Sequence, residues 1–209
     1  DAVYAHTLQR LWAGQPGMML PWFQRNRPDL LKNAANVMMI KDCIRYRLTG
    51  IIGTERTDAS NTNLFSLRTG VFEPEIFRIL GIEELYPLVP DRIFSPFQTA
   101  GHITEEAAAQ TGLYTGTPVA AGLYDVAACT LASGILGDDA LSLIVGTWGI
   151  SGHLTPVLKE CEGKSNNMFS FLDGWYFSEE SSPTSAGNLD WFLEQAYGRS
   201  IPDGENVYE

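Results

Sequence analysis

The 209-residue sequence predicts an α/β fold, in which buried strands alternate with helices. The main observation is Pro118 to Gly134, PVAAGLYDVAACTLASG, where a lone acid interrupts a long apolar run. Val119 to Leu123 is apolar or glycine throughout, which is typical of a fully buried parallel strand. Val126 to Ser133 is small and apolar enough to form a buried helix that ends at Gly134. A helical stretch from Thr104 precedes this strand, so the order of elements is that of a βαβ unit.

Asp125 falls at the junction of that strand and helix. A carboxylate there would face the crevice at the carboxyl end of a strand, where open α/β sheets bind ligands. The N-terminus of the following helix favours its ionised form. The alternative is that Asp125 only caps the helix, a position in which aspartate is common. The residue types alone leave both interpretations open.

The segments at the start of the chain predict short helices. Tyr4 to Trp12 has apolar residues at helical spacing, followed by a break rich in glycine and proline before the sequence MMLPWF. Pro28 favours a short helix, and Asn36 to Ile40 is typical of a brief buried strand or helix. Lys41 to Leu48 predicts a further helix that stops at Gly50. These segments are predicted to be scaffold.

The middle of the chain alternates polar and structured segments. Residues 51–67, IIGTERTDASNTNLFSL, are dense in side chains that favour turns, so they predict either a polar loop lining a cleft or an ordinary surface loop. Pro74 to Leu80 predicts a short helix, and three prolines favour an extended connection over residues 85–97. Thr104 is a suitable N-cap for a helix that ends at Gly112.

The sequence changes character after Gly134, and we place a domain boundary near Gly137. Leu141 to Val145 predicts a strand, and the sequence GTWG then turns the chain into a possible return strand, ISGHL. Glycines around Thr147 would let backbone N–H groups approach a phosphate, although a plain hairpin turn is equally consistent with this short motif. Residues 174–198 predict a strand, a polar loop and an amphipathic helix.

Composition excludes several classes of function. The net charge of −11 and the pI near 4.7 argue against nucleic acid or anionic membranes as partners. The three cysteines, Cys43, Cys129 and Cys161, are far apart and suggest neither a disulfide framework nor a metal site, which favours a reducing cytoplasm. No apolar stretch has the length of a membrane span, and the first residues do not resemble an export signal.

Common catalytic signatures are absent from the sequence. It contains no GxxxxGK[ST], GxGxxG, HExxH or GxSxG motif. His6, His102 and His153 have no acid or cysteine at metal-ligand spacing, so we predict no metal ligands among the residues of this chain.

Four segments, taken in order, resemble the FGGY carbohydrate kinases of the actin/hexokinase/heat-shock ATPase superfamily. KDCIRYRLTG resembles the family's "kD…LTG" helix, and TERTDASNTNLFSL resembles its "tDxSxAsxtxlxd" loop. PVAAGLYDVAACTLASG resembles its "pVxxGxxDxxaaxxGxG" segment, and LSLIVGTWGISGH its "GTS/GTW" phosphate turn. The pairing of GTWGISG with SPTSAGNLDWF is similar to the subgroup that acts on ketopentoses and keto-sugar acids, the L-xylulose, 3-keto-L-gulonate or xylulokinase-like type.

The resemblance implies a cleft between two ribonuclease-H-like (actin-like ATPase) domains, in which ATP phosphorylates a sugar hydroxyl with Mg²⁺ bridging the phosphates. Asp125 matches the family's general base toward the sugar, and Trp12 matches a sugar-lining aromatic residue. Gly146 and Thr147 match residues around the transferred phosphate, and Gly187 matches a helix start along the nucleotide. The implied partners are a small sugar and ATP, and a homodimer is left open.

The resemblance is partial. Neither the family's Asp-Gly-Thr/Ser phosphate hairpin nor its Gly-rich adenosine segment is found in the sequence, and such kinases have roughly twice this length. The expected division is residues 1–137 as the later part of the sugar-binding domain and residues 138–209 as the start of the nucleotide-binding domain. The chain is therefore expected to be the middle part of a kinase. The alternative is a truncated, non-catalytic sugar-binding or interaction module.

Overall fold

A computed structural model of the chain describes residues 2–158 and 165–197. Cys161 and everything after Tyr197 lie outside the described residues. The first part of the chain is mainly helical. Its helices are α1 (Tyr4–Thr7), α2 (Pro16–Asn26), α3 (Pro28–Lys32), α4 (Ile40–Thr49), α5 (Arg56–Ala59), α6 (Pro74–Ile79) and α7 (Glu105–Thr111), with a 3₁₀ helix at Glu83–Leu88.

Four short strands accompany these helices. β1 (Thr54–Glu55) pairs in parallel with β2 (Ile93–Phe94), and β3 (Thr99–His102) pairs antiparallel with β4 (Pro118–Ala120). Helix α8 (Asp125–Ala132) follows β4. The main core of this part joins helices and loops through residues such as Phe65, Ile76 and Phe77.

A four-stranded antiparallel sheet forms most of the rest of the described chain. Its strands are β5 (Leu141–Val145), β6 (Gly149–Thr155), β7 (Asn166–Phe169) and β8 (Tyr176–Ser182), in the order β5-β6-β8-β7. Helix α9 (Ala186–Tyr197) comes after it. Val126 and Ala127 of α8 pack against Leu154, Met168 and Phe177 of this sheet. Helix α8 therefore lies between the two parts of the chain.

Helix ends with a clear local signal are where the sequence predicts them. Thr104 accepts a hydrogen bond from the amide of Ala107 at 3.1 Å, and Gly112 ends α7 in the left-handed conformation, with φ of 77°. Gly50 ends α4 in the same way, with φ of 71°. These positions need glycine because other residues rarely adopt positive φ.

The prediction of a buried parallel strand at Val119 to Leu123 is wrong. The strand stops at Ala120, runs antiparallel to β3 and is only partly buried. The amides of Ala121 and Gly122 bond instead to the carbonyls of Gln98 and Pro96, and Gly122 has φ of +90°, which breaks the strand.

The predicted helix from Tyr4 to Trp12 is also too long. Leu8 has φ of 52° and ends α1, after which the chain runs beside β7. There the side chain of Gln9 donates to the carbonyl of Asn167 at 2.9 Å. These contacts replace the helical bonds that the apolar spacing predicts.

Three other local predictions differ from the structure. Pro16 begins α2 rather than belonging to the predicted break before MMLPWF, because proline suits the first position of a helix. Asn36 to Met39 are irregular rather than strand or helix, and Val37 donates to the carbonyl of Leu88. The expected extended connection from residue 85 begins inside the 3₁₀ helix, which contains Pro87.

The polar segment 51–67 is not an ordinary surface loop. Most of its polar side chains are buried, and it contains β1 and α5. Glu55 ends β1 and accepts hydrogen bonds from the amides of Thr57 and Asp58, so it caps α5. The segment is internal because its polar groups find partners inside the protein.

Candidate functional site

A cleft of about 600 Å³ opens between the start of α8, the segment that joins α1 to α2, and the four-stranded sheet. It is lined by Arg10, Leu11, Trp12, Gly14, Gln15, Pro16, Met39, Asn61, Tyr124, Asp125, Val126, Trp148, Ile150, Asn166, Glu179, Ser181 and Pro183. Apolar walls with a few convergent polar groups are typical of small-molecule sites.

Asp125 lies in the wall of this cleft as the first residue of α8, and its side chain is exposed. Its Oδ1 accepts a hydrogen bond from the amide of Val126 at 2.8 Å. Tyr124, which precedes the helix, makes no side-chain cap. Within the described residues Oδ2 of Asp125 has no hydrogen-bond partner, so this oxygen can meet a ligand in the cleft.

Trp12 and Trp148 form an aromatic pair across the cleft, with ring centroids 5.2 Å apart. Trp12 comes from the segment before α2, and Trp148 comes from the turn between β5 and β6. The Trp12 ring lies against Gly14 so closely that a Cβ on that glycine would fall 1.8 Å from it. A side chain at position 14 would therefore displace the Trp12 ring from its place at the cleft.

Glu179 of β8 is a second carboxylate in the cleft wall, and only 7% of it is exposed. The hydroxyl of Tyr124 donates to its Oε2 at 3.5 Å. Burial raises the pKa of Glu179 to about 7, and Asp125 adds to the shift. Burial and the nearby Glu179 likewise raise the pKa of Tyr124, which keeps its hydroxyl protonated. The cleft thus contains an acid and a phenol that can both donate hydrogen bonds near neutral pH.

Gly146, Thr147 and Gly187 do not line the cleft, although the structure brings their segments together. The amide of Ser185 donates to the carbonyl of Thr147 at 3.0 Å, and the amide of Ala186 donates to the carbonyl of Gly146 at 2.9 Å. The turn after β5 is therefore fixed to the start of α9, next to Gly187. Trp148 connects this turn to the cleft.

The sequence interpretation missed Glu179, Tyr124 and Trp148. Trp148 lies inside the GTWG motif, but its place in the cleft depends on Trp12, which is distant in sequence. Tyr124 directly precedes the lone acid. Glu179 carried no signal in the polar run SEESSPTS, because its burial depends on Tyr124, 55 residues away.

Metal and membrane features can be assessed only for residues 2–158 and 165–197. In this part of the chain no group of three or more His, Cys, Asp or Glu side chains is arranged to hold a metal ion. Magnesium in phosphate-transfer sites needs fewer protein ligands, since phosphates and water supply most of them. None of the helices described is both long and apolar enough for a membrane crossing.

Comparison with known proteins decides the family. The model for the N-terminal domain of the FGGY family of carbohydrate kinases matches residues 1–132. The chain belongs to the FGGY family. Its fold is accordingly part of the ribonuclease-H-like (actin-like ATPase) fold of these kinases, in agreement with the prediction from the sequence.

Two curated relatives are similar over almost all of this FGGY chain. The L-xylulose/3-keto-L-gulonate kinase of Escherichia coli is 36% identical over 196 residues, which cover 93% of the chain and 39% of the relative. The probable L-xylulose kinase of Pasteurella multocida is 33% identical over 196 residues, or 93% of the chain and 40% of the relative. The chain thus spans about 40% of the length of the curated relatives it matches.

Solved structures share the fold. A xylulose kinase from Rhodospirillum rubrum superimposes with a TM-score of 0.86 at 24% identity, covering 99% of this chain and 41% of that one. A gluconate kinase from Lactobacillus acidophilus superimposes with a TM-score of 0.85 at 21% identity, covering 99% of this chain and 41% of that one. At these identities the likeness supports the fold alone.

Proposed function

We propose that the chain is part of an ATP-dependent carbohydrate kinase that phosphorylates a hydroxyl of a ketopentose or a related sugar or sugar acid. The observation that carries the proposal is the exposed carboxylate of Asp125 in the cleft wall, at the start of a helix in an FGGY chain. The relatives named L-xylulose kinase support the sugar class. The proposal includes a cytoplasmic location and no nucleic-acid or membrane partner.

Asp125 acts as the general base in this proposal. Its carboxylate accepts the proton of the attacking hydroxyl while the sugar oxygen bonds to the γ-phosphorus of ATP and the bond to ADP breaks. The helix start helps to hold an ionised group at this position. A positioned nucleophile and stabilised charge are what phosphoryl transfer mainly requires.

Of the remaining candidate residues, one is assigned to the sugar and three are assigned to the nucleotide. Trp12 lines the sugar part of the cleft, where the face of an indole can pack on a sugar ring. Gly146 and Thr147 contact the ATP phosphates, and Gly187 lies along the nucleotide at the start of α9. When bound, Mg²⁺ neutralises charge on the phosphates.

We also propose that residues 1–137 and 138–209 belong to the sugar-binding and nucleotide-binding domains, respectively. The change from mainly helical structure to a four-stranded antiparallel sheet supports this division. Packing of Val126 on Leu154 and Phe177 makes α8 one of the contacts between the two.

Sugar-dependent release of ADP by the full-length gene product tests the proposal. Ketopentoses, a keto-sugar acid and a linear polyol are supplied with ATP and Mg²⁺, and ADP is followed by a coupled assay. We expect at least one ketopentose or keto-sugar acid to raise ADP release well above the sugar-free rate. Sugar binding in calorimetry without any ADP release would instead favour the non-catalytic module.

A further inference from the structure

Five charged side chains form an ion cluster near Asp125: the partly exposed Lys41 and the buried Asp42, Arg45, Glu55 and Asp58. The Nζ of Lys41 lies 3.1 Å from Asp42, 3.7 Å from Glu55 and 3.7 Å from Asp58, and Arg45 donates to Asp42 at 2.7 Å. Burial raises the pKa of Asp58 to about 6 even though Lys41 opposes the shift. Buried charges are tolerated only when they are paired, so the geometry of this cluster is tightly constrained.

The cluster contacts the junction loop, residues 121–124, which connects β4 to Asp125. Arg45 donates to the carbonyl of Ala121 at 3.1 Å, and Lys41 donates to the same carbonyl at 3.4 Å. A Cβ on Gly122 would lie 3.1 Å from the Lys41 side chain. The beginning of the junction loop is therefore packed against the cluster.

The end of the junction loop is held by Thr57. The amide of Tyr124, the residue before Asp125, donates to Thr57 Oγ1 at 2.9 Å. Thr57 Oγ1 in turn donates to Glu55 Oε2 at 2.6 Å, and the amide of Thr57 donates to Glu55 Oε1 at 2.7 Å. A hydroxyl has one proton and two lone pairs. Because Glu55 takes the proton, a lone pair of Thr57 faces the amide of Tyr124.

We infer that Thr57, oriented by Glu55, is a positioning residue that fixes the carboxylate of Asp125 for proton transfer. The inference rests on the kinase function proposed above. Within the described residues the Asp125 side chain accepts a hydrogen bond only from the amide of Val126, so the backbone on both sides of Asp125 determines where the carboxylate lies. Small displacements of a reacting group can lower turnover by about two orders of magnitude.

Thr57→Val and Thr57→Ser in the full-length gene product test this inference. Valine keeps the branched shape and removes the hydroxyl, whereas serine keeps the hydroxyl. We expect Thr57→Val to lower kcat by roughly 10- to 100-fold while the KM values for sugar and ATP stay within about twofold, and we expect Thr57→Ser to retain most of kcat. Thr62→Val is the matched control, because its buried hydroxyl bonds to Ala59 and not to the junction loop.

The double variant that combines Thr57→Val with Asp125→Asn distinguishes a positioning role of Thr57 from a role in stabilising the fold. If Thr57 acts through Asp125, adding Thr57→Val to Asp125→Asn lowers kcat no further. A normal kcat for Thr57→Val, or an equal loss in both backgrounds, overturns the inference. Unfolding curves accompany each variant, and Glu55→Gln, which weakens the orientation of the Thr57 hydroxyl, replaces Thr57→Val if that variant does not fold.

Failure of this inference is distinguishable from failure of the proposed function. If Asp125→Asn abolishes turnover and Thr57→Val alone leaves turnover at the level of the unmodified protein, only the positioning role of Thr57 is wrong. If Asp125→Asn leaves turnover unchanged, Asp125 is not the general base, and the positioning role of Thr57 is then wrong as well.

Discussion

The indole rings of Trp12 and Trp148 meet edge to face, with their planes at 83° to each other. The pair joins the first part of the chain to the turn after β5, and both rings line the cleft that contains Asp125. Trp12 remains 48% exposed, so a ligand in the cleft can contact its ring.

Trp12→Ala is expected to raise the sugar KM by about tenfold, because loss of an aromatic contact of about 1.4 kcal/mol weakens sugar binding. The ATP KM should change little. Steady-state kinetics with each substrate varied in turn measure both constants. Trp22→Ala is the control, since Trp22 is exposed on α2 outside the cleft. An unchanged sugar KM would remove Trp12 from the sugar site.

Thr147→Val is expected to act on the nucleotide instead. If the Thr147 hydroxyl bonds a phosphate, as proposed above, its loss should raise the ATP KM by roughly 10-fold and leave the sugar KM within about twofold. The turn should keep its shape, because its bonds to Ser185 and Ala186 use backbone atoms only. Steady-state kinetics with ATP and with sugar varied in turn measure the two KM values. Equal weakening of both would contradict the assignment of Thr147 to the phosphates.

Glu179 should make stability depend on pH between about 4.5 and 7. Burial raises its folded pKa to about 7 from the ordinary 4.5, so the folded state holds the proton more tightly than the unfolded state. This contribution is therefore complete below pH 4.5 and is lost as the pH rises through 7. Its upper limit is on the order of 3 kcal/mol.

Urea unfolding between pH 4.5 and 8 compares the protein with Glu179→Gln. The free energy of unfolding of the protein should fall relative to that of the variant as the pH rises to 7, and the difference should then level off. Glu180→Gln is the matched control, because the neighbouring Glu180 is exposed and pairs with Arg10 at 2.7 Å. Parallel curves for the protein and Glu179→Gln would show that Glu179 titrates normally.

Elements with a local cause could be predicted from the sequence. Thr104 and Gly112 delimit α7 through bonds to nearby backbone, and the β5–β6 hairpin around GTWG follows from its flanking strands. The end of β4 could not be predicted, because it depends on bonds from Ala121 and Gly122 to residues more than twenty positions earlier.

In the candidate site, too, local patterns could be predicted from the sequence, whereas contacts between distant segments could not. Asp125 was recognisable because an acid between two apolar segments is a local pattern. The burial of Glu55 and Thr57 could not be predicted, because it depends on Lys41 and on the amide of Tyr124, which are distant in sequence. Turn-forming side chains predict a surface loop when their partners are unknown, and here those partners lie inside the protein.

The central claim is that Asp125 accepts the proton of the sugar hydroxyl, and the turnover number of Asp125→Asn in the full-length gene product tests it most directly. Asparagine keeps the shape of the side chain and suits the start of a helix, but it cannot accept the proton. Asp138→Asn, an exposed change after α8, is the control, and thermal unfolding should be nearly the same for both variants. The account predicts that kcat falls by roughly 10²- to 10⁴-fold while both KM values change little. A kcat close to that of the unmodified protein would contradict it.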